Sequence, residues 1–76
     1  MRQAILVKYL GPTNSSGSRY KASVQAGSVT VAADYGLNAD GNAAEAAAKL
    51  CKKLGWGGKL AGGTLPNGDF CFVFVD

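Results

Sequence analysis

The last strand-like segment of this chain is apolar on both of its faces. Residues 70–75 read Phe-Cys-Phe-Val-Phe-Val, so alternation places three phenylalanines on one side and a cysteine and two valines on the other. The segment 4–9 near the start of the chain is almost as two-sided. A strand with two apolar faces needs a cover on both of them. The chain is therefore constrained to a sheet whose apolar strands require more than a single layer of cover.

The length and composition predict one small globular domain over residues 1–76. Apolar residues make up 47% of the chain and charged residues only 17%, which is unlike a disordered tail. A core of this size typically contributes only about 3–5 kcal/mol of stability. The net charge of +3 permits an anionic partner without requiring one.

Alternating or two-sided apolar runs predict strands at Gln3–Leu10, Ser18–Gln25, Ser28–Asp34, Lys59–Leu65 and Phe70–Val75. The pair Ala26-Gly27 predicts a tight turn between the second and third strands, and hence an antiparallel hairpin. Gly62-Gly63 indicates a bulge or a sheet edge. Residues 66–69, Pro-Asn-Gly-Asp, predict the final turn.

One helix is predicted over Asn42–Leu54, with Asn42 and Glu45 as a capping box and Gly55 as its stop. Its apolar stripe is Ala43, Ala47, Leu50 and Leu54, with Cys51 at the edge, and its opposite face carries Glu45, Lys49, Lys52 and Lys53. The order β-β-β-α-β-β predicts an α+β fold, a single antiparallel sheet of about five strands with one helix packed on one face.

One helix leaves the other face of the sheet without a cover. If the larger side chains face the helix, Leu6, Cys71, Val73 and Val75 form an apolar strip flanked by Lys8, Arg19 and Lys21. If the phenylalanines face outward, the exposed patch approaches or exceeds the size that a soluble monomer usually tolerates. Three covers are possible: a loop or the Trp56 segment of this chain, a second copy in a homodimer, or a different partner. Alternatively, a central strand is simply hydrophobic and needs no further cover.

The residues argue against catalysis. Histidine is absent, the acidic residues are scattered, and Ser15, Ser16 and Ser18 have no base to activate them. Two cysteines cannot complete a tetrahedral zinc site, so we expect no metal and no cofactor. Cys51 and Cys71 are interpreted as buried apolar residues, with a disulfide between them as the alternative. We find no signal peptide or membrane span in the sequence, and a cytoplasmic location is expected.

Basic residues on one sheet face suggest nucleic-acid binding as a further possibility. Lys8, Arg19 and Lys21 are the candidates for electrostatic contact with any partner, with Tyr9 and Tyr20 as ring anchors. Basic side chains with aromatic rings nearby would also suit a single-strand platform. Lys49, Lys52 and Lys53 form a secondary basic face that would suit a duplex backbone. For both sets, ordinary solvated charge is the simpler explanation.

Four segments carry a resemblance: residues 7–14, Val-Lys-Tyr-Leu-Gly-Pro-Thr-Asn, and residues 17–22, 55–58 and 65–70. Across most of its length the chain resembles small uncharacterised accessory proteins of phages, plasmids and other mobile elements. The resemblance implies stoichiometric binding, as in inhibitors of host defence of the anti-CRISPR type, and it transfers no active site.

These observations lead to one functional hypothesis and two alternatives. The first is a non-enzymatic binding module that uses its sheet face and the Gly11–Ser18 loop to occlude a protein or ribonucleoprotein complex. The alternatives are a small nucleic-acid-binding protein that uses the basic sheet face, and a structural homodimer formed through the sheet.

Overall fold

A computed structural model describes residues 3–14 and 17–75 of the protein. Its elements are β1 (Ile5–Leu10), β2 (Arg19–Val24), β3 (Gly27–Ala32), α1 (Ala39–Leu54), β4 (Leu60–Thr64) and β5 (Phe70–Phe74). The predicted α+β fold, with five antiparallel strands and one helix in the order β-β-β-α-β-β, is confirmed. Ser15 and Ser16 of the predicted loop lie outside the described residues.

The five strands form one antiparallel sheet in the order β3-β2-β1-β5-β4. Strand β1, which is apolar on both faces, lies at the centre of the sheet and pairs with β2 on one side and β5 on the other. The hairpin between β2 and β3 is confirmed, but its two-residue turn is Gln25-Ala26, because Gly27 already pairs with Val24. The register of the hairpin places every residue of these strands on the face that alternation predicts.

The helix begins three residues earlier than predicted. Asn38 is its N-cap, and the Asn38 Oδ1 atom accepts a hydrogen bond of 2.7 Å from the Gly41 amide. The proposed capping box at Asn42 and Glu45 is therefore wrong, since Asn42 lies inside the helix and its side chain is buried. The helix ends as predicted at Gly55, whose φ of 73° is left-handed and favours glycine.

The core lies between α1 and one face of the sheet. Ile5, Val7 and Leu50 are fully buried there, and Ala43, Ala46 and Ala47 line the helix where it meets the strands. Small alanine side chains let the helix lie close to the sheet and leave space for larger side chains beneath it. Phe70 and Phe72 accordingly face inward. Of the two arrangements that the sequence left open, the structure shows the one in which the larger side chains face the helix.

The helix covers the sheet unevenly. It packs over β1, β2 and β3 and only reaches β5 with its edge. Trp56, just after the helix, adds cover on the same side, because its ring meets that of Phe74 with centroids 6.0 Å apart. In the described part of the chain, no helix is long and apolar enough to cross a membrane.

Candidate partner-binding face

The face of the sheet turned away from α1, here called the open face, carries the basic residues predicted from the sequence. Lys8 and Lys21 are directly opposite each other in the pairing of β1 and β2, and Arg19 lies two residues from Lys21 on the same side, opposite Leu10. The prediction that these three cations share one face is confirmed. They lie on the central strand and its neighbour, which places them on the flat part of the sheet and not at its margin.

An apolar strip lies beside these cations. Leu6, Val73 and Val75 are 48%, 45% and 46% exposed, and the half-buried Cys71 pairs with Leu6 across the strands. The predicted strip is therefore present. Trp56 packs on the helix side against Phe74, so the alternative in which the Trp56 segment covers this strip is wrong. Single exposed apolar residues are ordinary, but neighbouring ones on one face are typical of an interaction surface.

The two central lysines lack a compensating charge. Within the described residues, the ammonium groups of Lys8 and Lys21 make no hydrogen bond and no ion pair. Like charges placed directly opposite each other on neighbouring strands destabilise a sheet. The pairing of these two lysines therefore disfavours the isolated sheet slightly, and an anionic group on this face would relieve their repulsion.

Arg19 adds a second unsatisfied group. Its Nε atom is buried and has no hydrogen-bond partner among the described residues. A buried donor without an acceptor lowers the stability of the folded domain. The side chain as a whole is half-buried, so the guanidinium nitrogen atoms that reach the surface can still contact a partner.

The tyrosines do not join the basic residues. Tyr9 and Tyr20 follow and precede the two lysines by one position, so strand alternation turns them to the helix side. Tyr20 is only 6% exposed and packs edge-on against Tyr9, with ring centroids 5.3 Å apart. Tyr20 is therefore too buried to serve as a ring anchor, and neither ring lies on the face that carries the three cations. Tyr9 is half-exposed, and its hydroxyl is 2.9 Å from the Ser18 Oγ atom.

Sequence reasoning missed the most exposed ring. Tyr35 is 88% exposed and follows β3 in a short turn, where the Asp34 carboxylate accepts a hydrogen bond from the Gly36 amide. Its hydroxyl lies beside Gly17, at the end of the sheet where β2 begins with Arg19. The signal was available, since an aromatic residue between aspartate and glycine falls in a turn and outside the apolar alternation.

The secondary basic face is on the other side of the molecule. Lys49, Lys52 and Lys53 are exposed on α1. Lys53 is already engaged, because its Nζ atom donates a hydrogen bond of 2.9 Å to the Ser28 carbonyl on β3. Lys49 and Lys52 remain exposed. A flat partner cannot contact these lysines and the open face at the same time.

The two cysteines are separated by the sheet. Neither cysteine forms a disulfide: Cys51 is buried on the side of α1 that faces the sheet, and Cys71 lies on the open face. The alternative of a disulfide between helix and last strand is therefore wrong. Among the residues that the structure describes, no three histidine, cysteine or acidic side chains are close enough together to hold a metal ion.

Comparisons with known proteins add no family to this picture. No family model matches the sequence, no curated protein is significantly similar to it, and no solved structure matches the fold significantly. The resemblance to accessory proteins of mobile elements therefore stays a prediction. The function has to be argued from the chemistry of the surface.

Proposed function

We propose that this protein is a non-enzymatic binding module that docks its open face on an acidic protein surface. The observation that carries the proposal is the direct opposition of Lys8 and Lys21 beside a half-exposed apolar strip. Inhibition of a host defence complex by occlusion, in the manner of an anti-CRISPR protein, is the specific role we favour. A cytoplasmic setting is part of the proposal, and it is supported by the lack of a disulfide between Cys51 and Cys71.

Electrostatics indicates the chemistry of the partner. Carboxylates brought against Lys8 and Lys21 would replace the repulsion between the two ammonium groups with attraction. They would also raise the association rate, because complementary charge steers encounter. Leu6 and the two valines would then be buried against apolar groups of the partner, surrounded by these charged contacts. We therefore expect a partner surface with an apolar centre and acidic groups along one side.

The size of the protein indicates that such a contact must be broad. A specific interface takes about 800 Å² from each partner. The whole described protein exposes 4927 Å². An interface of ordinary size would therefore engage most of one side of this molecule, which is consistent with a flat sheet face and not with a small pocket.

Two matched double variants test the proposal. Lys8→Glu with Lys21→Glu changes the open face, and Lys49→Glu with Lys52→Glu changes the helix. In each double variant two lysines become glutamates, and each substitution lowers the net charge by two units, from +3 to −1 in total. Tagged wild-type protein and both variants would be used to capture partners from lysate of the producing cells, with quantitative mass spectrometry. A captured partner would then be purified and titrated by calorimetry.

We expect the open-face variant to lose the partner and the helix variant to keep it. The affinity measured by calorimetry should fall at least tenfold for the open-face variant only, about 1.4 kcal/mol. Equal loss in both variants would show that net charge alone governs binding. Equal retention in both would remove the open face from the interface.

Nucleic acid is the second candidate, favoured by the unpaired lysines and by the unsatisfied Nε atom of Arg19. The rings of the strands face the helix, so contacts on the open face would be to phosphates. Titrations with single- and double-stranded DNA and RNA at two salt concentrations test this candidate. Three phosphate contacts to a single strand predict a slope of about −2 for log K against log salt. Absence of binding at low salt would exclude it.

A homodimer through the open face is the least favoured arrangement. Two copies facing each other would bring the same three cations together from both sides, without an opposing charge. Light scattering at micromolar concentration measures the oligomeric state directly, and a dimer that the open-face double variant leaves intact would require a different contact surface.

A further inference from the structure

The sheet has one edge with unused backbone groups. In the pairing of β4 with β5, the Val75 amide donates to the Lys59 carbonyl at 2.8 Å and the Leu65 amide to the Asp69 carbonyl at 2.7 Å. The register is continuous between these two hydrogen-bonded pairs. Because such pairs alternate with pairs that are not hydrogen-bonded, Leu60, Gly62 and Thr64 turn their N–H and C=O groups away from β5.

The same register settles the role predicted for Gly62 and Gly63. The unbroken pairing of β4 shows an edge strand and no bulge. Edge strands are normally protected by charge, proline, a bulge or a covering element. The sequence of β4, Leu-Ala-Gly-Gly-Thr, contains no charged residue and no proline.

The opposite edge of the sheet is different. On β3, the Ser28 carbonyl accepts a hydrogen bond from the Nζ atom of Lys53, so a charged side chain guards that edge. Within the described residues, the outer side of β4 has no such contact. A charged side chain thus protects the β3 edge but not the β4 edge, so β4 is the edge that can accept a further strand.

A groove lies beside this edge, between β4 and the first half of α1. Its lining includes Asp40, Ala44, Gly62, Thr64, Phe70 and Phe72. The groove exists because the helix packs over the other half of the sheet and because Gly62 has no side chain. The Phe72 ring occupies the space where a Cβ atom at Gly62 would lie. The groove is therefore floored by an aromatic ring and has a carboxylate, that of Asp40, in its lining.

We propose that the β4 edge and this groove bind an extended peptide, which adds a sixth strand to the sheet. The peptide backbone would pair with Leu60, Gly62 and Thr64. Residues directly opposite each other share a face, so the peptide residue opposite Gly62 would point into the groove. A large apolar side chain fits that position, and a basic residue fits beside Asp40. This is strand addition, in which the backbone supplies affinity and alternate side chains supply specificity.

A second copy of this chain is a poorer occupant. If two β4 strands paired around their own midpoint, each would present Gly62 to the groove of the other, and the Phe72 floor would stay uncovered. A foreign strand with a large residue at that position fills it. This proposal concerns a surface separate from the open face, and either one can hold without the other.

Random heptapeptides displayed on phage are the probe for selection against the wild-type protein. We expect enriched sequences with alternate apolar residues and at least one lysine or arginine. Three variants identify the site: Thr64→Pro removes an outward N–H without breaking the pairing with β5, Ala44→Lys fills the groove, and Ala48→Lys is the matched control one helical turn further along. Ala44 and Ala48 are both exposed, so folding should be preserved, and circular dichroism would verify it.

Binding of an enriched synthetic peptide should weaken about tenfold in Thr64→Pro and in Ala44→Lys. It should be unchanged in Ala48→Lys and in the open-face double variant. N-methylation of every second peptide amide should abolish binding when the methylated amides are those that point toward β4. Methylation of the other set should leave binding unchanged. Hydrogen exchange should slow at the amides of Leu60, Gly62 and Thr64. No enrichment, or enriched peptides that bind Thr64→Pro and Ala44→Lys normally, would overturn the proposal. A dimer that Thr64→Pro dissociates would overturn it in favour of a second copy.

Discussion

Asn42 and Asp34 are joined by a reciprocal pair of hydrogen bonds. The Asp34 amide donates to the Asn42 Oδ1 atom at 2.7 Å, and the Asn42 Nδ2 atom donates to the Asp34 carbonyl at 3.1 Å. The same Nδ2 atom also reaches the carbonyls of Leu37 and Asn38, at 3.2 and 3.1 Å. A side chain of α1 thus satisfies the backbone of the segment that leads from β3 into the helix.

Replacement of Asn42 should be costly because this side chain is buried and fully bonded. Asn42→Leu keeps the number and branching of the side-chain heavy atoms but leaves the Asp34 amide and nearby carbonyls without partners. We expect a loss of about 2–3 kcal/mol in the free energy of unfolding, measured by urea denaturation. Asn38→Ala, which removes only the N-cap, should cost about 1 kcal/mol and serves as the comparison. A smaller loss at Asn42 than at Asn38 would contradict this role.

The two neighbouring glycines of β4 should respond differently to alanine. A Cβ atom at Gly62 overlaps the Phe72 ring, whereas one at Gly63 meets nothing within 4 Å. We expect Gly62→Ala to lower the free energy of unfolding by about 1–3 kcal/mol through overpacking. Gly63→Ala should be neutral or stabilising by up to about 1 kcal/mol, because it restricts the unfolded chain. Thermal or urea unfolding of the two variants measures these changes. Equal changes in the free energy of unfolding would refute the contact between position 62 and the Phe72 ring.

Lys21→Glu should stabilise the isolated domain while weakening partner binding. The substitution converts a repulsive pair with Lys8 into an attractive cross-strand pair. We expect a gain of about 0.2–1 kcal/mol at low salt that fades as salt increases. Lys52→Glu is the control with the same charge change, and it should destabilise the helix end by about 0.3–1 kcal/mol. Loss of stability in Lys21→Glu would show that the two lysines do not repel each other.

The thiols should differ in reactivity. Cys71 is half-buried on the open face, and Cys51 is buried on the side of α1 that faces the sheet. We expect a maleimide reagent to label Cys71 in the folded protein and Cys51 only as the protein unfolds. Mass spectrometry after labelling of Cys51→Ser and Cys71→Ser resolves the two sites. Fast labelling of Cys51 under native conditions would contradict its place in the core.

Partner binding should also alter this labelling. If the open face is the docking surface, a bound partner covers Cys71 and slows its reaction, while opening of the core at Cys51 becomes rarer. A peptide bound at the β4 edge would cover a different surface. Labelling rates therefore distinguish the two proposed interfaces within one experiment, provided that each ligand is used above its dissociation constant. An unchanged rate at Cys71 with saturating partner would place the contact elsewhere.

Local patterns in the sequence determined the element types, their order and which residues of each strand share a face. Alternation in β2 and β3 and the glycine at position 55 are examples, because strand pleating and a left-handed turn depend on a few adjacent residues. Only the tertiary structure decided that β1 is central, that the phenylalanines face the helix, that Asn42 bonds to Asp34, and that β4 leaves an edge open. These features depend on which distant segments meet. Pairing and packing are set by the free energy of the whole assembled core, which no short stretch of the chain contains.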